Sequence, residues 1–229
     1  MSRLILVPTP IGNLKDITQR ALEVLAEVDL VLTEDTREAR KLLSRYNISV
    51  TLESHHMFNE HRNVESVCER ILSGVKTALI TDAGTPGISD PGFLLVRECV
   101  RKGIPVETLP GPTALIPALV NSGLPSERFC FEGFLPYRKG RRRRFELLQE
   151  EERTMIFYES PYKLVKTLNE MITFFGPDRE ASVSREMTKI HEETVRGTLS
   201  YITDYYTDKS PKGELVIVVA GKKVKYPAH

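Results

Sequence analysis

The residues best suited to chemistry sit where short apolar runs end. Thr77 to Gly92, TALITDAGTPGISDPG, passes from such a run into a segment with three glycines and two prolines that carries Asp82, Thr85, Ser89 and Asp90. An open α/β sheet binds its ligand in the crevice beyond the carboxyl ends of its strands, which is where these side chains fall. Glycine lets backbone approach a ligand closely, and proline keeps the loop stiff. Two further stretches repeat the arrangement, Pro8 to Leu14 after RLILV and Pro110 to Thr113 after Ile104 to Leu109. Three such loops on one edge of a sheet, closed by a second domain, predict a site for a small polar cofactor.

Missing motifs narrow the chemistry. GxGxxG is absent, and Pro8 and Pro10 remove backbone donors, so a phosphate cradle is not expected at the first loop. Neither GxSxG nor GxxxxGK[ST] occurs, and no Cys-His pair stands at an identifiable site. Acyl transfer and ATP hydrolysis are thereby set aside, and transfer of a group from a bound donor is left. His55, His56 and His61 lack a cysteine partner or a metalloprotease helix motif, so they read as loop or helix-start residues and no metal is expected. Cys68, Cys99 and Cys130 lack pairing or ligand spacing and read as buried thiols of a reducing compartment.

A second signal is the run Arg138-Lys139-Gly140-Arg141-Arg142-Arg143-Arg144. Four positive charges at a helix start oppose the helix dipole, so their presence there asks for an external partner. A polyanion supplies one, since phosphate contacts release counterions and position a nucleic acid without reading its bases. A solvated face is the plainer reading of the same residues. The net charge is +1, so the argument rests on this local cluster and not on the whole chain.

Holding these loops in place takes a regular frame. With 229 residues, 41% hydrophobic and 28% charged, the chain can bury one large core or two smaller ones. It has no apolar run long enough for a membrane span and no signal peptide at Met1, so a cytoplasmic protein with no membrane partner is expected. Strand and helix alternate five times up to Val120: strands at Arg3–Val7, Asp29–Thr33, Ser49–Leu52, Thr77–Ile80 and Ile104–Leu109, with helices between, one of them behind an Asp16 or Thr18 cap. That alternation predicts a mostly parallel, doubly covered sheet. The polar seam Asn121 to Arg128 predicts a boundary, giving an N-terminal α/β domain over residues 1–121 and a C-terminal one over 122–229. The second half offers strands at Phe129–Phe134, Thr154–Tyr158, Glu180–Arg185, Thr194–Thr198 and Gly213–Ala220 around fewer helices, which predicts a mixed sheet. Glu34 and Asp35, just past a strand, read equally as first-turn acids that complement the helix dipole or as ligand groups.

Nine segments carry a resemblance to a known family. VPTPIGNLKDIT at Val7, EDTR at Glu34, ITDAGTPGISDPG at Ile80, LPGPTA at Leu109, FEGFLP at Phe131, FYESP at Phe157, REMTK at Arg185, RGTL at Arg196 and KGE at Lys212 stand in order along nearly the whole chain. Together they resemble the bacterial ribosomal RNA small subunit methyltransferase I family of the tetrapyrrole methylase superfamily. That resemblance implies two α/β domains with S-adenosylmethionine in the cleft between them. The implied reaction is 2′-O-methylation of a cytidine ribose in small-subunit ribosomal RNA, naked or in the 30S particle, by a homodimer. It places the donor against Pro10, Gly12, Asn13 and Leu14, against Asp82, Gly84, Thr85, Gly87, Ile88 and Asp90, at Thr113 and Ala114, and near Tyr158, Met187, Gly213 and Glu214. Arg138, Lys139, Arg141, Arg142, Arg143 and Arg144 match a basic segment that would meet RNA phosphates.

Methyl transfer to a ribose hydroxyl is helped by a general base or by a charge that stabilises the alkoxide. Glu34, Asp35, Asp82, Glu159, Glu186 and Lys189 all stand beside expected strand ends and are the candidates, with Arg185 a further cation and ion-pair roles open to each. Two departures from the family pattern are visible. Tyr162-Lys163 replaces the usual His-Arg pair, and the chain ends at His229 where many relatives continue, so substrate grip is expected to differ. A tetrapyrrole methyltransferase of the same superfamily and a non-enzymatic RNA-binding module are the alternative readings.

Overall fold

Short apolar runs bounded by Gly, Pro and Asp become the strands of two five-stranded sheets in the computed structural model, which describes residues 2–56, 60–209 and 211–222. The first sheet joins β1 (Leu4–Leu6), β2 (Leu30–Thr33), β3 (Thr51–Ser54), β4 (Thr77–Leu79) and β5 (Val106–Thr108) in the order β3-β2-β4-β1-β5. Every pairing in it is parallel. The helices α1 (Gln19–Glu27), α2 (Thr36–Arg45), α3 (Glu60–Leu72) and α4 (Phe93–Arg101) alternate with these strands.

Side chains that alternate along each strand fill two cores. Leu4, Leu6, Leu30, Leu32 and Leu79 pack with Val67, Ile71 and Leu95 of α3 and α4. Ile5, Val7, Val31 and Ala78 pack with Ala21, Leu25, Ala39 and Leu43 of α1 and α2. Apolar residues on both faces are what a doubly covered parallel sheet demands. Local caps set two helix starts: the Thr18 hydroxyl accepts from the Ala21 N–H and the Asp35 carboxylate from the Arg37 N–H. Of the two expected caps for α1, Thr18 is the one used.

Several strand ends differ from the sequence reading by one or two residues. β3 begins at Thr51 and not Ser49, because its register is set by β2, where Leu30 faces Thr51 and Thr33 faces Ser54. Cys68 of α3 and Cys99 of α4 are buried as free thiols with sulfurs 3.8 Å apart, while Cys130 is only half-buried. Burial pushes the Cys99 thiol up to about 12, which keeps it unreactive.

The second sheet joins β6 (Phe129–Phe134), β7 (Thr154–Glu159), β8 (Glu180–Arg185), β9 (Glu193–Thr198) and β10 (Leu215–Val219) in the order β6-β7-β10-β8-β9. β6 and β7 run parallel and the other pairs antiparallel, so the sheet is mixed as expected. Its helices are α5 (Leu115–Ser122), α6 (Arg141–Leu148), α7 (Leu164–Phe175) and α8 (Leu199–Thr207). Phe145, Met155, Phe157, Leu168, Met171, Ile202, Tyr206 and Ile217 form its main core. β10, buried along its whole length, is the central strand.

The chain divides into two compact units, the first ending at Thr113 and the second starting at Ala114. The division falls before α5 and not after it at Asn121, because α5 packs on β8 and β10. His229 and the end of the chain lie outside the described residues.

Candidate functional site

In the first unit, parallel pairing brings the ends of β1, β2, β4 and β5 to one edge of the sheet, and the loops that follow are stitched together. The chain beyond β1 pairs with the loop after β4: Thr9 and Gly84 exchange two backbone hydrogen bonds of 2.9 Å. The buried Thr9 hydroxyl donates to the Thr81 carbonyl at 2.9 Å. On the other side the Thr85 hydroxyl donates to the Pro112 carbonyl at 3.0 Å. A Cβ at Gly111 would lie 2.7 Å from Pro8 Cβ, so only glycine lets the β5 loop rest on that proline. The three loops singled out from sequence thus form one body in which a change to one displaces the others.

Several expected donor-binding residues are at the exposed surface of this body. Gly12, Asn13 and Leu14 are exposed beyond the half-buried Pro10. Asn13 caps a 3-10 turn over Leu14–Asp16 by accepting from the Lys15 N–H at 3.1 Å, and the Tyr46 hydroxyl holds the Leu14 carbonyl at 2.7 Å. Gly84 is buried, Thr85, Gly87 and Asp90 are half-buried, and Ile88 is exposed. Thr113 closes the first unit and Ala114 opens the second, at the start of α5.

The far end of the β4 loop is fixed by a residue that sequence reasoning missed. Oε1 of the buried Glu60 accepts from the Gly92, Leu94 and Leu95 N–H groups at 3.1, 3.0 and 3.3 Å. The signal was present: α4 begins behind Gly92, which has no side chain to cap it, so its first amides needed an acceptor from elsewhere. Buried His55 stands beside it, with Nε2 3.7 Å from the same oxygen and neither ring nitrogen hydrogen-bonded among the described residues. His56 is half-buried and His61 exposed.

Three acids cluster at the ends of β2 and β4 and behave differently. Asp35 caps α2 and pairs with Arg37 at 2.7 Å, and the Arg37 hydrogen bonds hold its carboxyl well below the usual range. Its own N–H donates to Asp82 Oδ1 at 3.3 Å. Partial burial pushes Glu34 up, and repulsion from Asp82 adds to the shift while His56 opposes it. Asp82 is pushed up as well, by partial burial first and by the charges of Asp35 and Glu38, against the Asp35 N–H. Two carboxylates that hold protons more firmly than usual, at a strand edge, suit a cationic ligand or proton transfer. Asp35, by contrast, is a helix cap.

In the second unit, register aligns Glu159, Leu215, Arg185 and Glu193 across β7, β10, β8 and β9. The expected residues Tyr158, Glu186, Met187, Lys189, Gly213 and Glu214 therefore gather at one edge. Just past β8 the Glu186 N–H donates to the Glu214 carbonyl at 3.3 Å, and Lys189 pairs with Glu186 at 2.8 Å. Glu186 and Thr188 adopt left-handed φ of 49° and 67°, a strained choice for non-glycine residues that is common at functional turns. A Cβ at Gly213 would overlap the Glu186 carboxylate, and its φ is +82°, so glycine is required there. Met187 is buried, and the Tyr158 ring meets Phe131 and Phe134 edge-on at 4.9 and 5.7 Å. Arg185 turns inward to Glu193 at 2.9 Å.

Two expectations need correction. Glu159 is buried with both oxygens engaged, Oε1 accepting from the Ser160 N–H at 2.8 Å and Oε2 from the Thr167 hydroxyl at 2.6 Å, so it is not placed as a general base. Arg141 is buried too and does not reach outward to a phosphate. Its guanidinium donates to Glu170 at 2.7 Å, Thr167 at 2.7 Å and the Pro136 carbonyl at 3.2 Å, with Glu159 4.0 Å away. The cation at the start of α6 is thus answered internally by carboxylates of β7 and α7. Arg142 pairs with Glu146 and Arg144 with Glu132, at 2.8 and 2.6 Å. Arg138, Lys139 and Arg143 are exposed and join no ion pair among the described residues.

Among the described residues, no group of three or more His, Cys, Asp or Glu is placed to hold a metal ion, and no helix is long and apolar enough to cross a membrane.

Comparison with known proteins shows where this geometry recurs. The family model for Tetrapyrrole (Corrin/Porphyrin) Methylases matches residues 3–203. The chain is 47% identical to the ribosomal RNA small subunit methyltransferase I of Thermotoga maritima over 223 residues, which is 97% of this chain and 100% of that protein. Its identity to the protein of the same name from Synechocystis is also 47%, covering 96% of this chain and 80% of the relative. Among solved structures, the methyltransferase CobJ superposes with a TM-score of 0.70 at 18% identity, covering 98% of this chain and 97% of that one.

Proposed function

The chain belongs to the tetrapyrrole methylase family and, within it, to the ribosomal RNA small subunit methyltransferase I family, and on that premise we propose that it is an S-adenosylmethionine-dependent enzyme that methylates the 2′-hydroxyl of a cytidine ribose in small-subunit (16S) ribosomal RNA. The observation that carries this reading is the 47% identity along the full length of the Thermotoga relative. The methyltransferase CobJ, at 18% identity, shares the fold, and a fold alone does not select a substrate.

S-adenosylmethionine supplies an electrophilic methyl group on a sulfonium cation. The residues present suit such a group: among the described residues neither Glu34 nor Asp82 joins an ion pair, and both carboxyls are pushed up by partial burial, so a nearby positive charge would relieve them. Pro10 to Leu14, the turn from Gly84 to Asp90, and Thr113 with Ala114 are the candidates to hold the rest of the donor, and Tyr158, Met187, Gly213 and Glu214 are the further candidates that the resemblance names. The stitching of the β1, β4 and β5 loops keeps the positions of the first unit fixed, and fixed geometry supplies much of the rate of a transfer reaction. Asp82 or Glu34 takes the proton of the ribose hydroxyl. Lys189, half-exposed beside Glu186, stabilises the developing oxyanion. We further propose that the enzyme works as a cytoplasmic homodimer on the 30S particle.

Radiolabelled methyl transfer to small-subunit particles lacking the modification tests the reading, with the labelled nucleotide mapped afterwards. Label on a cytidine 2′-oxygen is the expected result. Label on a base, or transfer only to a tetrapyrrole, overturns it.

A further inference from the structure

Cations of the second unit that join no ion pair among the described residues stand beside exposed aromatic rings. Parallel pairing brings Phe134, at the end of β6, opposite Tyr158 of β7, and the chain beyond β7 enters a 3-10 turn over Pro161–Lys163 at the same edge. Phe134 is 57% exposed, Tyr137 63% and Tyr162 97%. Rings this open contribute little to a core, so packing does not account for them. Lys163 Nζ lies 4.6 Å from the centre of the Tyr137 ring and the Arg138 guanidinium 5.3 Å from it, so Tyr137 holds two cations in place. Arg141 anchors the loop that carries them, through the Pro136 carbonyl on one side and Glu170 and Thr167 of α7 on the other. Arg142 and Arg143 project from the first turn of α6, exposed.

We propose that this edge is a stacking platform for an unpaired RNA strand: Phe134 and Tyr162 each stack on a splayed base, while Arg138, Lys139, Arg143 and Lys163 meet the phosphates on either side. The inference deepens the RNA-methyltransferase reading and rests on it. Duplex RNA keeps its bases stacked inside and offers such rings nothing, whereas unpaired strands present a π-face at every nucleotide. Charge alone would grip either form through phosphates. Exposed rings among cations select the single strand, which is also the form whose ribose 2′-hydroxyl can be turned toward a catalytic edge.

The test is fluorescence anisotropy with a single-stranded oligoribonucleotide of about 12 nucleotides and an RNA duplex of equal length, each across a range of salt. Tyr162→Ala and Phe134→Ala are expected to weaken single-strand binding about tenfold each, with duplex binding and the salt slope unchanged. Tyr162→Phe retains wild-type affinity. Arg138→Gln with Arg143→Gln flattens the salt slope by about 1.4, two contacts at about 0.7 each for a single strand. Tyr162 is almost wholly exposed, so its truncation removes no packing and an unfolding curve will match wild type. Alanine variants that bind the single strand within about twofold of wild type, or that lose duplex affinity equally, overturn the proposal. Methyl transfer to small-subunit particles, read on the same preparations, separates the two readings. Intact transfer without a ring effect rejects the platform alone, and a ring effect without transfer supports the platform while rejecting the methyltransferase.

Discussion

Arg141 and Arg143 stand two positions apart and do unrelated work. Both belong to one basic run in the sequence, and nothing in residue type separates them. What separates them is helical phase: Arg141 faces α7 and β7, where Glu170, Thr167 and Glu159 surround it, while Arg143 faces outward. Arg141→Ala would leave Glu159 and Glu170 facing a void, and removing one partner of a buried pair costs about 3–5 kcal/mol. Urea unfolding of the second unit is expected to show that loss, with the salt dependence of RNA binding unchanged if the loop stays folded. Glu34 and Asp82 carry the opposite signature. Their folded pKa values lie above the unfolded ones, so the folded state binds protons more tightly in that window and stability falls as pH rises through it. Glu34→Gln and Asp82→Asn are therefore each expected to raise the neutral-pH Tm by about 1–3 °C, with methyl transfer lowered and the gain absent in acid. A Tm that drops at neutral pH would show that these carboxylates stabilise the fold and are not held for a ligand.

At the scale of elements, what the sequence discloses is what neighbouring residues decide. Thr18 and Asp35 cap helices that begin next to them; Thr18 is visible as a cap, while Asp35 reads in the sequence as a first-turn acid or a ligand group. The cap of α4 was not visible, because its acceptor comes from Glu60 on α3, over 30 residues earlier in the chain. The start of β3 was misplaced for a related reason: Ser49 and Val50 are no worse as strand residues than Leu52 and Glu53, and only the register with β2 excludes them. Glu60→Ala is expected to destabilise the protein by about 1–3 kcal/mol, since three amides at the start of α4 lose their acceptor in a buried setting. Glu60→Gln keeps an oxygen there and is expected to recover part of that loss. Hydrogen exchange at Gly92, Leu94 and Leu95 reports it directly, and unaltered protection in the alanine variant would show that water replaces the carboxylate at no cost.

On the scale of the whole molecule, alternating strands and helices were enough to reveal a parallel sheet followed by a mixed one. The loops of the first unit were legible because Gly and Pro past an apolar run have few other uses. The junction was less so. Polar residues from Asn121 to Arg128 look like a linker, yet contacts divide the chain before α5, since an apolar helix belongs with whatever sheet it covers and composition does not say which. The aromatic edge was only partly legible: Tyr162 stood out beside Lys163, but that Phe134 and Tyr137 are exposed with it is visible only in the structure.

The central position of β10 sets an order of events during synthesis. β7 and β8 each pair along one side with a strand that leaves the ribosome after both of them, so between the two moments their facing edges have no neighbour. The first unit faces a similar wait, since β1 and β2 both pair with the later β4, but it ends once β5 is made at Thr108. Pulse proteolysis of stalled nascent chains should then find the first unit resistant early, and the second cleavable until the segment through Val219 has emerged. An unfinished chain would present two unpaired strand edges to its surroundings, and a translation pause before Leu215 is where aggregation or chaperone capture would concentrate.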